Sequence, residues 1–234
     1  MKMRFLDFLK MKHAGGKAAS SGKANEREFC DQLRRLRYHG EAIGVADPAG
    51  TNKSAHDTVL TFPGKRPIAL ELKESKAAEG GGSNLPYRDG RYDLPKNPIL
   101  REYYPAGFQP WDGRAPSCFK GDRSPETWKR EKASFPGIYM EVENTAVSRY
   151  YRAKGTDYIH IRGKGIYHTG EDPMGWGVPM FTPPCRIRIR AKQHHGTPVP
   201  QDVQVCLNFR SQDLEKSPYD FMDLARLPPG LAAV

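Results

Sequence analysis

Residues 55–75 read AHDTVLTFPGKRPIALELKES, two apolar runs separated by Pro-Gly-Lys-Arg. Short apolar and β-branched runs on either side of a Pro-Gly turn predict a hairpin of two antiparallel strands. Side chains alternate between the two faces of a strand. In the second run one face holds Ile68, Leu70 and Leu72, and the other holds Ala69, Glu71 and Lys73. Glu71 and Lys73 therefore project side by side, about 7 Å apart along the strand.

The head of the first run adds a further ionisable group, Asp57. Cleavage of a phosphodiester needs charge stabilisation, an activated water and a proton for the leaving oxygen, and a carboxylate-bound divalent metal supplies most of these. Mg²⁺ prefers oxygen ligands, so Asp57 and Glu71 with a main-chain carbonyl form a suitable half-cage. Lys73 beside it is suited to orient the attacking water or help deprotonate it. The pattern indicates a hydrolytic metal site, with a charged surface hairpin as the alternative.

The segment ANEREFCDQLRRLRYHG, residues 24–40, predicts a helix that ends at Gly40, with apolar residues at helical spacing at Phe29, Leu33 and Leu36. Asn25 and Glu28 have the spacing of a capping box. Glu26 falls at the N-terminal end of the core-facing stripe, where a carboxylate without a partner is costly, so we expect it to have one. The alternative is an acidic residue favoured in the first turn by the helix dipole.

The charge is strongly and unevenly basic. The chain carries a formal net charge of +10 and a pI near 9.4. Residues 1–37 hold ten Lys or Arg against four Asp or Glu, and residues 149–192 hold nine against three. These two segments are predicted to contact a polyanion such as a nucleic acid, although charged faces also simply keep a protein in solution.

The sequence disfavours a membrane-spanning protein and a protein with paired cysteines. No run approaches the roughly 18 apolar residues of a spanning helix, and the opening MRFLDFLKMK is broken by charges, so we expect an intracellular, cytoplasmic protein without membrane contact. The cysteines are far apart with no C-x-x-C pair, which predicts unpaired thiols in a reducing compartment: Cys30, Cys118, Cys185 and Cys206.

The 234 residues suffice for one sizeable domain with insertions. The composition predicts a basic leader at 1–20, a domain at 21–170, and a β-rich C-terminal extension at 171–234 packed on the same domain. An insertion of about 77–137 is rich in Pro, Gly, Tyr and Arg, and only PETWKREKASF within it looks helical. Downstream, the patterns predict a helix in TAVSRYYRAKG and strands in IYMEVEN, DYIHIRG, GIYHTG, CRIRIRAKQ and DVQVCLNF.

The insertion interleaves aromatic rings with guanidinium groups, at Tyr87, Arg88, Arg91, Tyr92, Tyr103, Tyr104, Trp111 and Arg114. Such residues suit phosphate contacts, groove contacts or stacking on unpaired bases, and the alternative is a satellite core under the loop. In CRIRIRAKQ the arginines share one strand face, either as a phosphate-tracking ridge or as an ordinary solvated face. The predicted nucleic-acid contacts are Lys23, Thr51, Lys53, Arg88, Arg91, Arg186, Arg188 and Arg190.

Four stretches together resemble the PD-(D/E)XK nuclease superfamily, and within it the archaeal Holliday junction resolvases: KANEREFCDQLRRLRYHG, an Ala-Gly loop, HDTVL and IALELKESK. The resemblance covers about residues 20–76, with a weaker echo at 144–169. It implies an α/β fold with a restriction-endonuclease-like mixed central β-sheet flanked by helices, here with a long insertion and a β-rich C-terminal extension. The insertion and the tail exceed a minimal resolvase, and His56 stands where the superfamily name has Pro.

The resemblance implies the catalytic residues Glu26, Asp57, Glu71 and Lys73, with metal held by Glu26, Asp57, Glu71 and the Leu72 carbonyl. The family's small hydroxyl residue in the loop before the Asp corresponds to Thr51 or Ser54. His56 is either near the metal or, as is commoner for a loop histidine, a hydrogen-bonded surface group. Glu141 and Glu143 form a rival acidic pair that lacks a following lysine.

These observations predict an endodeoxyribonuclease that depends on Mg²⁺, with Mn²⁺ as a substitute, and acts on branched or junction DNA. A four-way junction needs two symmetric cuts, which predicts a homodimer. One alternative is a sequence-reading restriction-type endonuclease that uses the insertion for base contacts. Another is a nucleic-acid-binding protein on the same fold without catalysis.

Overall fold

The computed structural model describes residues 15–48, 56–74, 79–194 and 196–234, and for 15–23 the backbone alone. The α-helices in these ranges are α1 (Gly15–Leu33), α2 (Pro98–Glu102), α3 (Pro125–Glu131) and α4 (Ala146–Ala153). The strands are β1 (Leu36–Tyr38), β2 (Glu41–Ala42), β3 (Gly44–Val45), β4 (Thr58–Thr61), β5 (Ile68–Lys73), β6 (Glu79–Asn84), β7 (Tyr87–Arg88), β8 (Arg91–Tyr92), β9 (Ile138–Glu141), β10 (Tyr158–Ile161), β11 (Gly165–His168), β12 (Cys185–Lys192), β13 (Asp202–Phe209) and β14 (Leu231–Ala233).

The predicted hairpin is confirmed and forms the middle of a five-stranded sheet. Strands β4 and β5 pair antiparallel with Thr58 opposite Leu70, and Gly64 takes the positive φ of +69° that the turn requires. The sheet order is β11-β10-β5-β4-β3, and β10 runs parallel to β5 while the other neighbours are antiparallel. The fold is therefore mixed α/β, as the sequence predicts.

The alternation in β5 sends its two faces to different helices. Leu70 packs with Phe29 and Leu33 of α1 in one buried cluster. On the opposite face, Val147 and Tyr151 of α4 belong to a second cluster that also contains strand residues of β10, β12 and β13. The sheet therefore lies between α1 and α4, and the side chains of Leu72 and Glu71 point to different layers.

The helix prediction for 24–40 is wrong at both ends. Helix α1 begins at Gly15 and ends at Leu33, and the chain then forms β1, which pairs with β2 and β14. Strand pairing overrides the helical periodicity here, although Leu36 is buried as expected. Asn25 and Glu28 lie inside the helix, so they form no capping box, and Asn25 Nδ2 instead donates to Glu74 Oε1 at 3.1 Å.

Strand β6 of the insertion, β9 just after the insertion, and β12 and β13 of the C-terminal extension build one sheet, in the order β6-β13-β12-β9. Strand β6, of sequence EGGGSN, was not predicted because glycine-rich segments have low strand propensity, and its pairing with β13 supplies the stabilisation. Strand β14, also unpredicted, closes a small sheet with β1 and β2. The predicted helix within PETWKREKASF is confirmed as α3, which a 3-10 turn follows at Lys132–Ser134.

Several aromatic rings of the insertion belong to the core. Tyr92, Tyr104 and Trp111 are almost fully buried, and the Tyr92 and Trp111 rings meet edge to face with centroids 5.9 Å apart. The satellite-core interpretation therefore holds for these three rings. Tyr87 at the β7–β8 hairpin is only half-buried.

All cysteines are buried free thiols, as predicted: Cys30, Cys118, Cys185 and Cys206. Among the described residues, no helix has the length and apolarity needed to cross a bilayer.

Candidate active site at the end of strand β5

Asp57 and the end of β5 meet across the sheet. Because Thr58 pairs with Leu70 in an antiparallel register, Asp57, the residue before Thr58, falls opposite Glu71, next to Leu72. The Leu72 amide donates to Asp57 Oδ2 at 2.7 Å. The hairpin register thus delivers the carboxylate of the first strand to the acidic end of the second.

Glu71 is bound by two lysines. It is 5% exposed and projects toward the α4 face. Lys73 Nζ lies 2.6 Å from Glu71 Oε1, and Lys154 Nζ, at the end of α4, lies 3.2 Å from Glu71 Oε2. An almost fully buried carboxylate needs such partners, because desolvation without them is costly.

The charges of this cluster act on one another. Burial raises the pKa of the Asp57 carboxyl above its ordinary value, and the negative charge of Glu71 raises it further. Burial by itself would lower the pKa of Lys73, but the negative charges of Glu71 and Asp57 and the hydrogen bond to Glu71 raise it above the ordinary value. The carboxylates of Asp57 and Glu71 therefore lie close enough to Lys73 for their charges to shift its pKa.

Tyr151 forms an aromatic wall of this cluster. Lys73 Nζ and Lys154 Nζ lie 5.6 and 5.8 Å from its ring centroid. Burial raises the pKa of its phenol well above the ordinary value, so it stays neutral. Gly80 of β6 packs so close that an added Cβ would lie 2.7 Å from the Tyr151 hydroxyl. The start of β6 therefore contacts Tyr151 at the edge of the cluster.

Backbone alternation places a carbonyl beside the two carboxylates. In β5 the backbone amides and carbonyls of odd-numbered residues point toward β10, since Ala69 O accepts from Asp157 N at 2.9 Å. Those of even-numbered residues point toward β4, so the amide and carbonyl of Leu72 face the edge where Asp57 lies. The carboxylates of Asp57 and Glu71 and the Leu72 carbonyl are hard oxygen donors of the type that Mg²⁺ takes while keeping several waters. The donor chemistry of this strand end therefore fits a divalent cation.

The structure does not bring Glu26 to this pair. Within the described ranges, no three His, Cys, Asp or Glu side chains lie close enough together to hold a metal ion. Glu26 is half-buried and lines a cleft of about 90 Å³ on the α1 side, together with Leu72, Glu74, His160 and Arg162. The reason is geometric: α1 packs on the Leu72 face of β5, and the Glu71 side chain projects from the opposite face.

The cleft that holds Glu26 also contains a buried histidine. His160 Nε2 lies 2.7 Å from Asp220 Oδ1, and the two side chains are 3% and 4% exposed. The His160 ring also packs on Phe29, with centroids 4.7 Å apart. Burial would raise the pKa of Asp220, but the hydrogen bond and charge of His160 lower it below the ordinary value. This pair ties the C-terminal segment to β10.

His56 and the rival acidic pair, Glu141 and Glu143, have contacts or exposure of their own. His56 Nδ1 lies 3.3 Å from Thr156 Oγ1, so its ring is hydrogen-bonded at the turn that follows α4. Glu143 accepts from the Tyr103 hydroxyl and pairs with Arg149 at 3.1 Å, and Glu141 is exposed on β9.

The predicted nucleic-acid contacts fall into three groups. Thr51 and Lys53 lie outside the described residues, as does the alternative hydroxyl residue Ser54, and of Lys23 only the backbone is described. Arg88 and Arg91 are exposed and face each other on the β7–β8 hairpin.

The arginines of β12 are only partly available. Arg188 and Arg190 both bind the Glu79 carboxylate, at 2.8 and 2.9 Å. Arg186 lies over the Tyr139 ring, 3.9 Å from its centroid, and donates to Asn208. The predicted alternation is confirmed, since Ile187 and Ile189 are buried, but part of the positive charge is neutralised within the sheet.

Comparison with protein-family models, curated proteins and solved structures gave no match. The function is therefore argued from the geometry. Sequence reasoning missed Lys154 and Tyr151. The local signal for Lys154 is its position at the end of the amphipathic helix α4, just before Gly155.

Proposed function

We propose that the protein is a divalent-metal-dependent endonuclease that hydrolyses phosphodiester bonds in DNA. The observation that carries the proposal is the convergence of Asp57, Glu71 and Lys73 at the paired ends of β4 and β5. Two carboxylates and a lysine at one strand end are the groups that metal-assisted hydrolysis uses. The net charge of +10 supports a polyanionic substrate.

The topology around the site also supports the proposal. A helix that carries the E-R-E step precedes an antiparallel β3–β4–β5 unit, and α4 then leads into β10, which is parallel to β5. This order is compatible with the restriction-endonuclease-like sheet that the sequence resemblance implies. We infer that fold for residues 21–170 on these grounds.

Each residue has a defined role in the proposed reaction. Asp57, Glu71 and the Leu72 carbonyl would hold Mg²⁺ or Mn²⁺, which when bound supplies charge stabilisation on the phosphate and an activated water. Lys73 Nζ, adjacent to Glu71, orients the attacking water and donates to a phosphate oxygen. Lys154 supplies a second ammonium on the other side of Glu71. Glu26 would take part only after a shift of α1 or of its own side chain.

The substrate proposal is branched or junction DNA cut by a homodimer. The ordered insertion, with Arg88 and Arg91 exposed on a hairpin, also favours a second candidate, an enzyme that reads a DNA sequence through base contacts. Both candidates share the same hydrolytic chemistry.

Cleavage of matched four-way-junction, linear-duplex and single-stranded DNA, each with Mg²⁺, Mn²⁺ or a chelator, tests the proposal. We expect a dimer that needs metal to cut and that cuts the four-way junction in preference to the other two substrates. A fixed set of fragments from plasmid DNA would favour the sequence-reading enzyme. Failure to cut any substrate with either metal, together with binding that persists in chelator, would favour the non-catalytic binding protein and overturn the nuclease.

A further inference from the structure

An open groove of about 590 Å³ lies at the far end of β6 from the candidate active site. The side chains that give the groove its chemistry are Asn84, Tyr87, Lys96, Phe119, Gln201 and Asp202. Its volume lies within the range of about 300–1,000 Å³ that small-molecule sites occupy. None of these residues belongs to the hydrolytic cluster.

We propose that this groove binds an unpaired nucleotide of the DNA, with the base stacked on Tyr87 or Phe119. The inference rests on the proposed function for the choice of DNA as ligand. It extends that function by naming the substrate class, DNA with a single-stranded segment next to the cut.

The side chains that line the groove suit both the ring face and the polar edge of a base. Tyr87 and Phe119 are half-buried, so each presents ring surface to the groove while its remaining surface is packed. Stacking on such rings is the usual way in which proteins hold unpaired bases. Asn84 and Gln201 carry amides that both donate and accept, and the Asp202 carboxylate accepts from amino groups, as base edges require.

Three cationic side chains lie on the groove or on the hairpin that carries Tyr87. Lys96 is exposed on the lining, and Arg88 and Arg91 project from the same hairpin as Tyr87. The Asp202 carboxylate, also on the lining, is hydrogen-bonded to His194, with Oδ2 2.6 Å from Nε2. Lys96, Arg88 and Arg91 can therefore contact the phosphates of a strand that enters the groove.

The walls of the groove are fixed by contacts with the rest of the fold. The Tyr87 ring packs on Tyr92 with centroids 4.9 Å apart, and Lys96 N donates to Ser83 Oγ at 3.0 Å. Leu85 N donates to Val203 O at 2.8 Å, which joins the floor to β13. A preformed site of this kind loses little entropy when it binds a base.

Strand β6 connects the groove to the hydrolytic cluster. Gly80 touches the Tyr151 hydroxyl, whose ring lies 5.6 Å from Lys73 Nζ, and Gly82 and Asn84 line the groove. At about 3.3 Å per residue, the groove begins roughly 7–13 Å along the strand from Gly80. Stacked nucleotides rise about 3.4 Å each, so the bound base would lie a few nucleotides from the scissile phosphate.

The test uses a duplex with a single-stranded tail that carries 2-aminopurine, bound by the full-length protein in chelator so that no cutting occurs. We expect wild type to change the fluorescence of the tail probe. Tyr87→Ala and Phe119→Ala should weaken binding of tailed DNA by about 5-fold to 150-fold per lost stack, with blunt-duplex binding unchanged. Tyr87→Phe keeps the ring and should bind like wild type.

The matched control is Leu94→Ala, which truncates an exposed side chain of the insertion outside the groove lining, 51% exposed, and should change neither affinity. Circular dichroism melting identifies any variant that fails to fold. If an aromatic variant does not fold, Asn84→Ala, at an exposed residue of the groove lining, tests the same groove. Equal loss of tailed and blunt binding in Tyr87→Ala and Phe119→Ala, or no loss in either, would overturn the inference. A tail signal that maps to the groove in a protein that never cuts DNA would support the groove while refuting the nuclease.

Discussion

Lys154 Nζ lies 3.2 Å from Glu71 Oε2, although 83 residues separate them in the chain. Helix α4 ends beside the face of β5 that carries Glu71, so its last turn delivers a second ammonium to a buried carboxylate. The cluster consequently holds two lysines around one buried glutamate.

Lys154→Met should reduce DNA cleavage by roughly 10²-fold, because the Glu71 carboxylate loses one of the two groups that hold it in place. Lys154→Arg keeps a positive charge and should retain more activity. Lys129→Met changes an exposed lysine of α3 and should cut like wild type. Single-turnover cleavage rates at saturating protein measure the effect, and equal rates for Lys154→Met and Lys129→Met would contradict the role of Lys154.

Gly81→Ala should destabilise the protein more than Gly90→Ala. Both glycines have positive φ, +59° and +79°, so both substitutions strain the backbone. Only at Gly81 would the added Cβ also meet the Tyr150 ring, at 2.5 Å, while Gly90 has open space. We expect the free energy of unfolding to be lower in Gly81→Ala by about 1–3 kcal/mol relative to Gly90→Ala, measured by urea titration. Equal values would show that β6 does not pack on α4 as described.

Asp220→Asn should lower the free energy of unfolding by about 3 kcal/mol near neutral pH, since it removes the buried carboxylate that pairs with His160. The pKa of Asp220 is lowered in the folded protein, so its contribution is fully present above the ordinary value of 3.8 and is lost as pH falls through the folded pKa. The difference between wild type and variant should therefore be smaller in acid below the folded pKa of Asp220 than at neutral pH.

Melting temperatures across a pH series measure the effect. Asp223→Asn, at a half-exposed carboxylate paired with Arg226, serves as the control and should show a small difference at every pH. A difference between wild type and Asp220→Asn that does not change with pH would mean that the Asp220 carboxylate is not stabilised by His160.

The four thiols should react slowly with a disulfide reagent in the folded protein and rapidly after unfolding in guanidinium chloride. All four are buried, and burial raises the pKa of Cys206 to about 11 and that of Cys185 to about 12, so little thiolate forms at neutral pH. Thiol titration with and without denaturant counts the reactive groups. Fast reaction of two or more thiols in the folded state would contradict the burial described.

Local pattern was enough to predict the centre of the fold. The alternation in β5 specifies which side chains share a face, so the sequence places Glu71 and Lys73 side by side. Asp57 could be named from its residue type and from the family resemblance, but its position beside Glu71 depends on strand register and twist, which the sequence does not show. The helix of α4 and the strands β10 to β13 were predicted for the same reason, from their own periodicity.

Other parts depend on contacts between distant segments. Strand β6 forms only because β13 pairs with it, and Lys154 reaches Glu71 only through the packing of α4. Glu26 shows the limit most clearly, because its helix was predicted but the side of the sheet on which α1 packs was not. The face of β5 that carries Leu70 receives α1, which leaves Glu26 in a cleft apart from Glu71.

The central claim is tested most directly by Glu71→Gln against Glu141→Gln, an exposed glutamate of β9, in the same cleavage assay with Mg²⁺ or chelator. We predict that Glu71→Gln loses cleavage by at least about 10²-fold while it remains folded and still binds DNA, and that Glu141→Gln cuts like wild type. Chelator should abolish cutting by every active form. Equal cutting by the two variants, or wild-type cutting that persists in chelator, would contradict a metal-dependent nuclease site at the end of β5.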